Sequence, residues 1–442
     1  MQTSVIGFPR IGTLRELKFA SEKYFKKEIS EEELLQTGKE LRAKHWNTQR
    51  QAGIDYISCN DFSYYDMVLD TAVLFNLIPK RYKELNLSDL DTYFAMARGY
   101  QGTYGDVKAL AMKKWFNTNY HYIVPEIEDD MKITLAGNKP FEEYKEAKAL
   151  GIETKPVIIG AYTLLKLCRY TGKKSLQDIA GSGAKAYQAF LRSCEEIGIP
   201  WIQFDEPALV QDMAQEDIAL FRQLYDAILS EKRKCHVLLQ TYFGDVRDFY
   251  QELLAMPFDG IGLDLIEGKK NVSLIEEYGF PQDKRLFAGV INGKNIWKNH
   301  YEPTLRMVKT LQAKNIQCVL STSCSLLHVP YTLKHEHRLS KHYTSYFAFA
   351  EEKLDELAQL KELAQCEDYH AASSYQENKK LFEQARDCVN EAVHKRLSRI
   401  TEDDYIRKPS RGKRQVLQKQ KLALPEFPTT TIGSFPQTND VK

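Results

Sequence analysis

Residues 13–18 read Thr-Leu-Arg-Glu-Leu-Lys. Thr13 followed by Glu16 has the spacing of a capping box, which predicts a helix starting at Leu14. Arg15 and Lys18 then share one face of its first turns. A helix N-terminus already presents free N–H groups and a positive dipole end, so it attracts anions. Two cations there work against the helix itself, and a local conflict of this kind marks candidate sites. The bland alternative is a solvated helix face.

A second group is Gln203-Phe204-Asp205-Glu206-Pro207, two carboxylates at the end of an apolar run. Such acids do general-acid or nucleophilic work in glycosidases. Neighbouring strand residues point to opposite sides, so these two cannot face one sugar; Asp264 would be the second acid. The alternative is that Asp205 or Glu206 braces loops by hydrogen bonding. Cys324 and His328, with Asp264, are the sparse material for a metal, short of a four-ligand set. Asn60-Asp61-Phe62-Ser63 can read a polar ligand or cap a helix. Lys113-Lys114 is a weak basic pair, and Gly102-Thr103-Tyr104-Gly105 is a turn without phosphate-loop spacing.

Eight short apolar runs would position these groups: 4–6, 56–58, 156–160, 201–205, 236–241, 261–264, 286–291 and 318–321. Most are apolar throughout, as in parallel strands buried on both faces. Amphipathic stretches such as 31–50 and 217–232 separate them, and eight such units predict an α/β fold, a TIM (β/α)8 barrel. The second gap is too long for one helix. It is expected to hold a helical excursion, a possible hairpin near Ile133–Leu135, and a loop returning over the barrel mouth. A long helical region over 342–396 would complete a first domain, residues 1–396. Residues 397–426 are basic and polar, an expected connector, helical in part over 415–422.

The phrase Thr3-Ser-Val-Ile-Gly-Phe-Pro-Arg10 returns at 429–437 as Thr-Thr-Thr-Ile-Gly-Ser-Phe-Pro-Gln. A recurrence at the period of a domain predicts tandem duplication, with 427–442 opening a second barrel. Net charge is +1 over 442 residues, which offers no electrostatic case for nucleic acid or a membrane surface. No apolar run approaches a membrane span. Eight scattered cysteines without a CxxC pair, and no leader-like N-terminus, fit a reduced, cytoplasmic protein.

Taken together, these phrases resemble the cobalamin-independent methionine synthase family. The resemblance rests on 7–12 with Arg15-Glu16-Leu17-Lys18, on 60–63, on Lys114-Trp-Phe-Asn-Thr-Asn-Tyr-His-Tyr122, on 203–207 and on Thr431-Ile-Gly-Ser-Phe-Pro436. It implies a two-barrel enzyme that moves a methyl group from 5-methyltetrahydropteroyltri-L-glutamate to L-homocysteine, giving L-methionine. The family's folate-binding positions match Arg15, Glu16, Leu17, Lys18 and Lys114, and its homocysteine-contacting strand matches Ile432, Gly433 and Ser434. The family's zinc and catalytic groups belong to the second barrel, and it uses no cobalamin. Aligned by strands, the zinc positions correspond here to Tyr242, Gly244, Asp264 and Cys324. Two of these cannot ligate zinc well, so no metal or catalytic residue is expected in this first barrel. The chain alone is expected to be inactive and to supply the surface for the anionic tail.

Overall fold

The computed structural model describes residues 1–230, 234–384, 390–431, 433 and 438. Eight parallel strands form the core: β1 (Gln2–Ser4), β2 (Ile57–Cys59), β3 (Thr154–Ile159), β4 (Trp201–Asp205), β5 (His236–Gln240), β6 (Gly260–Asp264), β7 (Arg285–Ile291) and β8 (Gln317–Thr322). They run in the order β1-β8-β7-β6-β5-β4-β3-β2. The ring closes through a parallel bridge between Ser4 and Tyr56, with Tyr56 N donating to Thr3 O at 2.9 Å. The chain is thus a TIM barrel, and each predicted strand is present with ends shifted by at most two residues. Helices of the predicted units surround it, including α1 (Glu16–Phe25), α2 (Glu31–Gln51) and, after β2, α3 (Met67–Leu74). Burial on both faces explains the apolar runs: β3, β4 and β6 have no exposed residue.

Tyr56, Trp201, Leu238, Phe287 and Val319 form an apolar layer at the lower end of the barrel. Above it runs a polar ladder. Lys155 Nζ donates to Gln203 Oε1, Gln203 Nε2 donates to Ile6 O (3.1 Å) and Asp205 Oδ1 (2.7 Å), and Tyr242 OH donates to Asp205 Oδ2 (3.1 Å).

The excursion between β2 and β3 contains α3, helices Lys80–Lys83 and Asp89–Arg98, and two antiparallel hairpins. One pairs Tyr100–Gly102 with Gly105–Val107, turning at the predicted place; the other pairs Met112–Lys114 with His121–Ile123. No hairpin forms at Ile133–Leu135. Thr134 N and Ala136 N instead donate to Phe75 O and Leu74 O, so this segment follows the end of α3. The expected helical region after β8 is present as separate helices. Helices Lys341–Thr344, Ala350–Gln365 and Ser373–Glu383 are separated where Phe349 N donates to Glu352 and where Asp368 accepts from His370 N.

The chain divides into two compact units, Met1–Glu383 and Gln384–Lys442. The second contains helices Glu391–Leu397 and Arg411–Leu422, neither of which buries a side chain. Most of the repeated phrase at 429–437 lies outside the described residues, Ile432 and Ser434 among them. Gly433 has φ 107°, and no atom lies within 4 Å of a Cβ placed there. Among the described residues no helix is long and apolar enough to cross a membrane.

Candidate functional site at the barrel mouth

The upper end of a (β/α)8 barrel is where catalytic groups are built. Here the carboxylates at that end are taken up by the protein. Asp205 is 2% exposed and holds Gln203 and Tyr242; burial pushes its carboxyl up and pushes the Lys155 ammonium below it down. Glu206 turns to the opposite side, between barrel and helices. It accepts from Tyr162 N (2.9 Å), Thr163 N (2.8 Å), Thr163 Oγ1 (2.6 Å) and Tyr225 OH (2.5 Å), and so caps the Ala161–Leu167 helix. Burial pushes Glu206 up to about 7. The pair therefore braces the fold, and the glycosidase arrangement is not formed.

The four positions aligned with a zinc site have other work. Tyr242 is committed to Asp205. Asp264 accepts from Phe243 N (3.0 Å), Ile266 N (2.8 Å) and Glu267 N (2.9 Å). A Cβ at Gly244 would press on Val210 at 3.1 Å. Cys324 is 1% exposed, and burial holds its thiol in the protonated form. Among the described residues no group of three or more His, Cys, Asp or Glu side chains is placed to hold a metal ion. The residues present do not fit a zinc ion.

The hairpin of residues 112–123 lies over the strand ends and seals the barrel mouth. Trp115 is fully buried and packs edge-on against Phe116 and Tyr122. Phe116 reaches Phe243 (ring centroids 6.1 Å apart), and Tyr120 reaches His328 (6.2 Å). Asn117 at the tip bonds Glu267 and Lys294. His328, enclosed by these rings, is pushed down to about 4 by burial and then by Lys294. The sequence signals were the run 121–124 and the Asn-Thr-Asn turn at 117–119; what the hairpin covers was not readable from them.

The cations of the opening motif stand outside this seal. The helix α1 begins at Glu16, two residues later than a Thr13 box requires. Gly12 (φ 83°) and Arg15 (φ 67°) carry the chain through a left-handed turn, and Lys44 Nζ takes the Thr13 hydroxyl at 2.6 Å. Glu16 still acts locally: its Oε2 accepts from Leu14 N at 2.9 Å. Leu17 is 2% exposed and packs on Leu41 and Phe62, so it anchors the helix and faces no ligand. Arg15 is exposed, and Lys18 is half-exposed beside Glu22 (3.4 Å). Lys114 is exposed on the first strand of the mouth hairpin, in register with His121. Asn60, Asp61 and Ser63 brace loops: Asn60 Nδ2 donates to Val157 O, Asp61 accepts from Phe8 N and Ser58 Oγ, and Ser63 meets Tyr93 OH. The cap of α3 is Asp66.

The molecule is thus a (β/α)8 barrel with a closed mouth and with exposed or half-exposed cations on two elements at its rim. Residues 2–316 match the family model described as "Cobalamin-independent synthase, N-terminal domain", and the chain belongs to that family. It is 52% identical over all 442 residues to the 5-methyltetrahydropteroyltriglutamate–homocysteine methyltransferase of Campylobacter jejuni subsp. doylei, and 52% identical to that of Streptococcus suis. It spans 58% of the length of each. Two solved structures share the fold. The putative vitamin-B12-independent methionine synthase of Listeria monocytogenes has a TM-score of 0.56 at 14% identity, covering 83% of this chain and all of the other. A B12-independent methionine synthase from Shewanella sp., solved with selenomethionine, has a TM-score of 0.54 at 17% identity, covering 82% and 97%.

Proposed function

We propose that this chain is the first barrel of a zinc-dependent enzyme that transfers a methyl group from 5-methyltetrahydropteroyltri-L-glutamate to L-homocysteine, giving L-methionine. The observation that carries this reading is the 52% identity along the entire chain to methyltransferases of that name. The sealed mouth supports a division of labour. With Asp205, Glu206 and Asp264 saturated internally, the first barrel contributes binding, and zinc and homocysteine belong to a second barrel of the same chain. Ile432, Gly433 and Ser434 would be the first homocysteine contacts.

The contribution of this barrel is a cationic rim for the glutamate tail. Arg15, Lys18 and Lys114 offer positive charge to its carboxylates, and the start of α1 adds its dipole. Glu16 and Leu17 hold that helix in place. Each exposed charge contact is worth about 0.2–1 kcal/mol, more where the second barrel excludes water. The 442-residue chain alone would bind the triglutamyl folate without turnover. Lys18→Ala in the full-length enzyme should raise the KM for triglutamyl folate about two- to fivefold and leave zinc content unchanged. An unchanged folate KM would sink the assignment.

A further inference from the structure

The rim cations come from two elements about 100 residues apart in sequence. Arg15 and Lys18 follow the β1 loop, and Lys114 rides on the mouth hairpin. These elements meet at one buried carboxylate. Asp66 is fully buried and caps α3, with Oδ2 accepting from Leu69 N at 2.9 Å. Capping needs one acceptor. The other two bonds go to the hairpin: Oδ2 accepts from Ile123 N at 3.1 Å, and Oδ1 accepts from Tyr120 OH at 2.9 Å. Tyr120 is tied in turn to the residue beside Lys114, because Trp115 N donates to Tyr120 O at 2.7 Å.

The β1 loop arrives from the other side. The Arg10 guanidinium lies 5.8 Å from the Tyr120 ring centroid, and its buried Nη1 has no hydrogen-bond partner. Burial works against this charge, and Tyr120, Tyr93, Asp66 and Asp70 hold it in place. Leu17 N donates to Ile11 O at 3.2 Å, so the start of α1 moves with the Arg10 loop. The chain of contacts from Lys114 to Arg15 and Lys18 thus passes through Tyr120, Asp66 and Arg10.

We propose that Asp66, acting through Tyr120 and Arg10, is a positioning residue that sets the spacing between Lys114 and the Arg15–Lys18 pair, and so selects folates whose tail carries enough carboxylates to engage both. The inference rests on the tail-binding reading above. Two linked contacts on one ligand reinforce each other only when their separation matches the span. Loosening the latch therefore weakens a triglutamate tail and spares a monoglutamate, which cannot reach both elements.

The test uses the full-length enzyme with mono- and triglutamyl 5-methyltetrahydrofolate, in Asp66→Asn and Tyr120→Phe. Asparagine keeps an acceptor for Leu69 N and Ile123 N but removes the acceptor for Tyr120 OH and the negative charge near Arg10, and phenylalanine removes one hydroxyl while keeping the ring under Arg10. The preference for the triglutamate, as a ratio of KM values, should fall roughly three- to tenfold in both, with the loss in KM rather than kcat. If Asp66→Asn does not fold, Tyr120→Phe decides. Amide hydrogen exchange over 112–123 in the 442-residue chain gives a readout independent of folate, and it should quicken in Tyr120→Phe. Unchanged hairpin exchange overturns the latch. Faster exchange with an unchanged preference, or with equal losses for both folates, overturns its role in selection and leaves the rim intact. A wild-type enzyme with no triglutamate preference overturns the tail-binding reading, and the selection with it.

Discussion

The charged groups at the barrel's strand ends and those at its rim differ in one respect, whether the protein itself uses the charge. Asp205, Glu206 and Asp264 are at most 2% exposed, and each is held by several donors. Arg15 and Lys114 are exposed, and half-exposed Lys18 makes surface contacts with Glu22 and the Phe19 ring. In a (β/α)8 barrel, an acid at a strand end is not for that reason available to a ligand. Saturation marks scaffold, and a charge held out on a rim is what a ligand can use.

The largest effect should come from the scaffold. Glu206→Ala orphans four buried donors, on Tyr162, Thr163 and Tyr225, and leaves a cavity. Each orphaned buried donor costs about 1–3 kcal/mol, so urea unfolding should show a loss above about 3 kcal/mol. A loss under about 1 kcal/mol would mean that water replaces the carboxylate and that the strand-end acid is less committed than its bonds indicate.

A smaller effect depends on pH. His45 is buried between Phe8, Phe62 and Tyr331 and is pushed down to about 3 by burial, then by Lys44 and Arg42. Unfolded, it titrates near 6.5. Between these values the unfolded chain holds the extra proton, so stability falls as pH drops below 6.5, by about 1.4 kcal/mol per unit. Asp66 and Asp264, both raised to about 6, act in the opposite direction. The comparison with His45→Gln isolates the term: from pH 6.5 to 5 the wild type should lose about 2 kcal/mol relative to the variant. Parallel curves would show that the imidazole finds water in the folded state.

What the sequence made legible follows the same division. Strands buried on both faces announce themselves as apolar runs, and all eight were readable, β4 to the residue. The opposite orientation of Asp205 and Glu206 followed from strand geometry alone. The helix start at Thr13 failed because tertiary contacts competed: Lys44, from α2, takes the hydroxyl that the box needed. The mouth hairpin was half legible: the run 121–124 marks its second strand, but the hairpin was expected at 133–135, and its target, Phe243 and His328, lies more than 100 residues away. The role of Asp66 was not legible, because nothing local shows that two of its three bonds go to a hairpin over 50 residues downstream.

The smallest expected effect tests the comparison most directly. Among the described residues Lys114 makes no ion pair, and its side chain is exposed. Lys114→Ala should therefore change the unfolding free energy by less than about 0.5 kcal/mol. Its affinity for triglutamyl folate should still fall, by about 0.2–1 kcal/mol. That loss should fade with added salt, because screening shortens from about 10 Å at 0.1 M to about 3 Å at 1 M. The Glu206→Ala loss, made of buried bonds, should not fade. A Lys114→Ala chain destabilised by about 2 kcal/mol, or a folate loss that persists at 1 M salt, would place Lys114 with the scaffold and erase the distinction between the two regions.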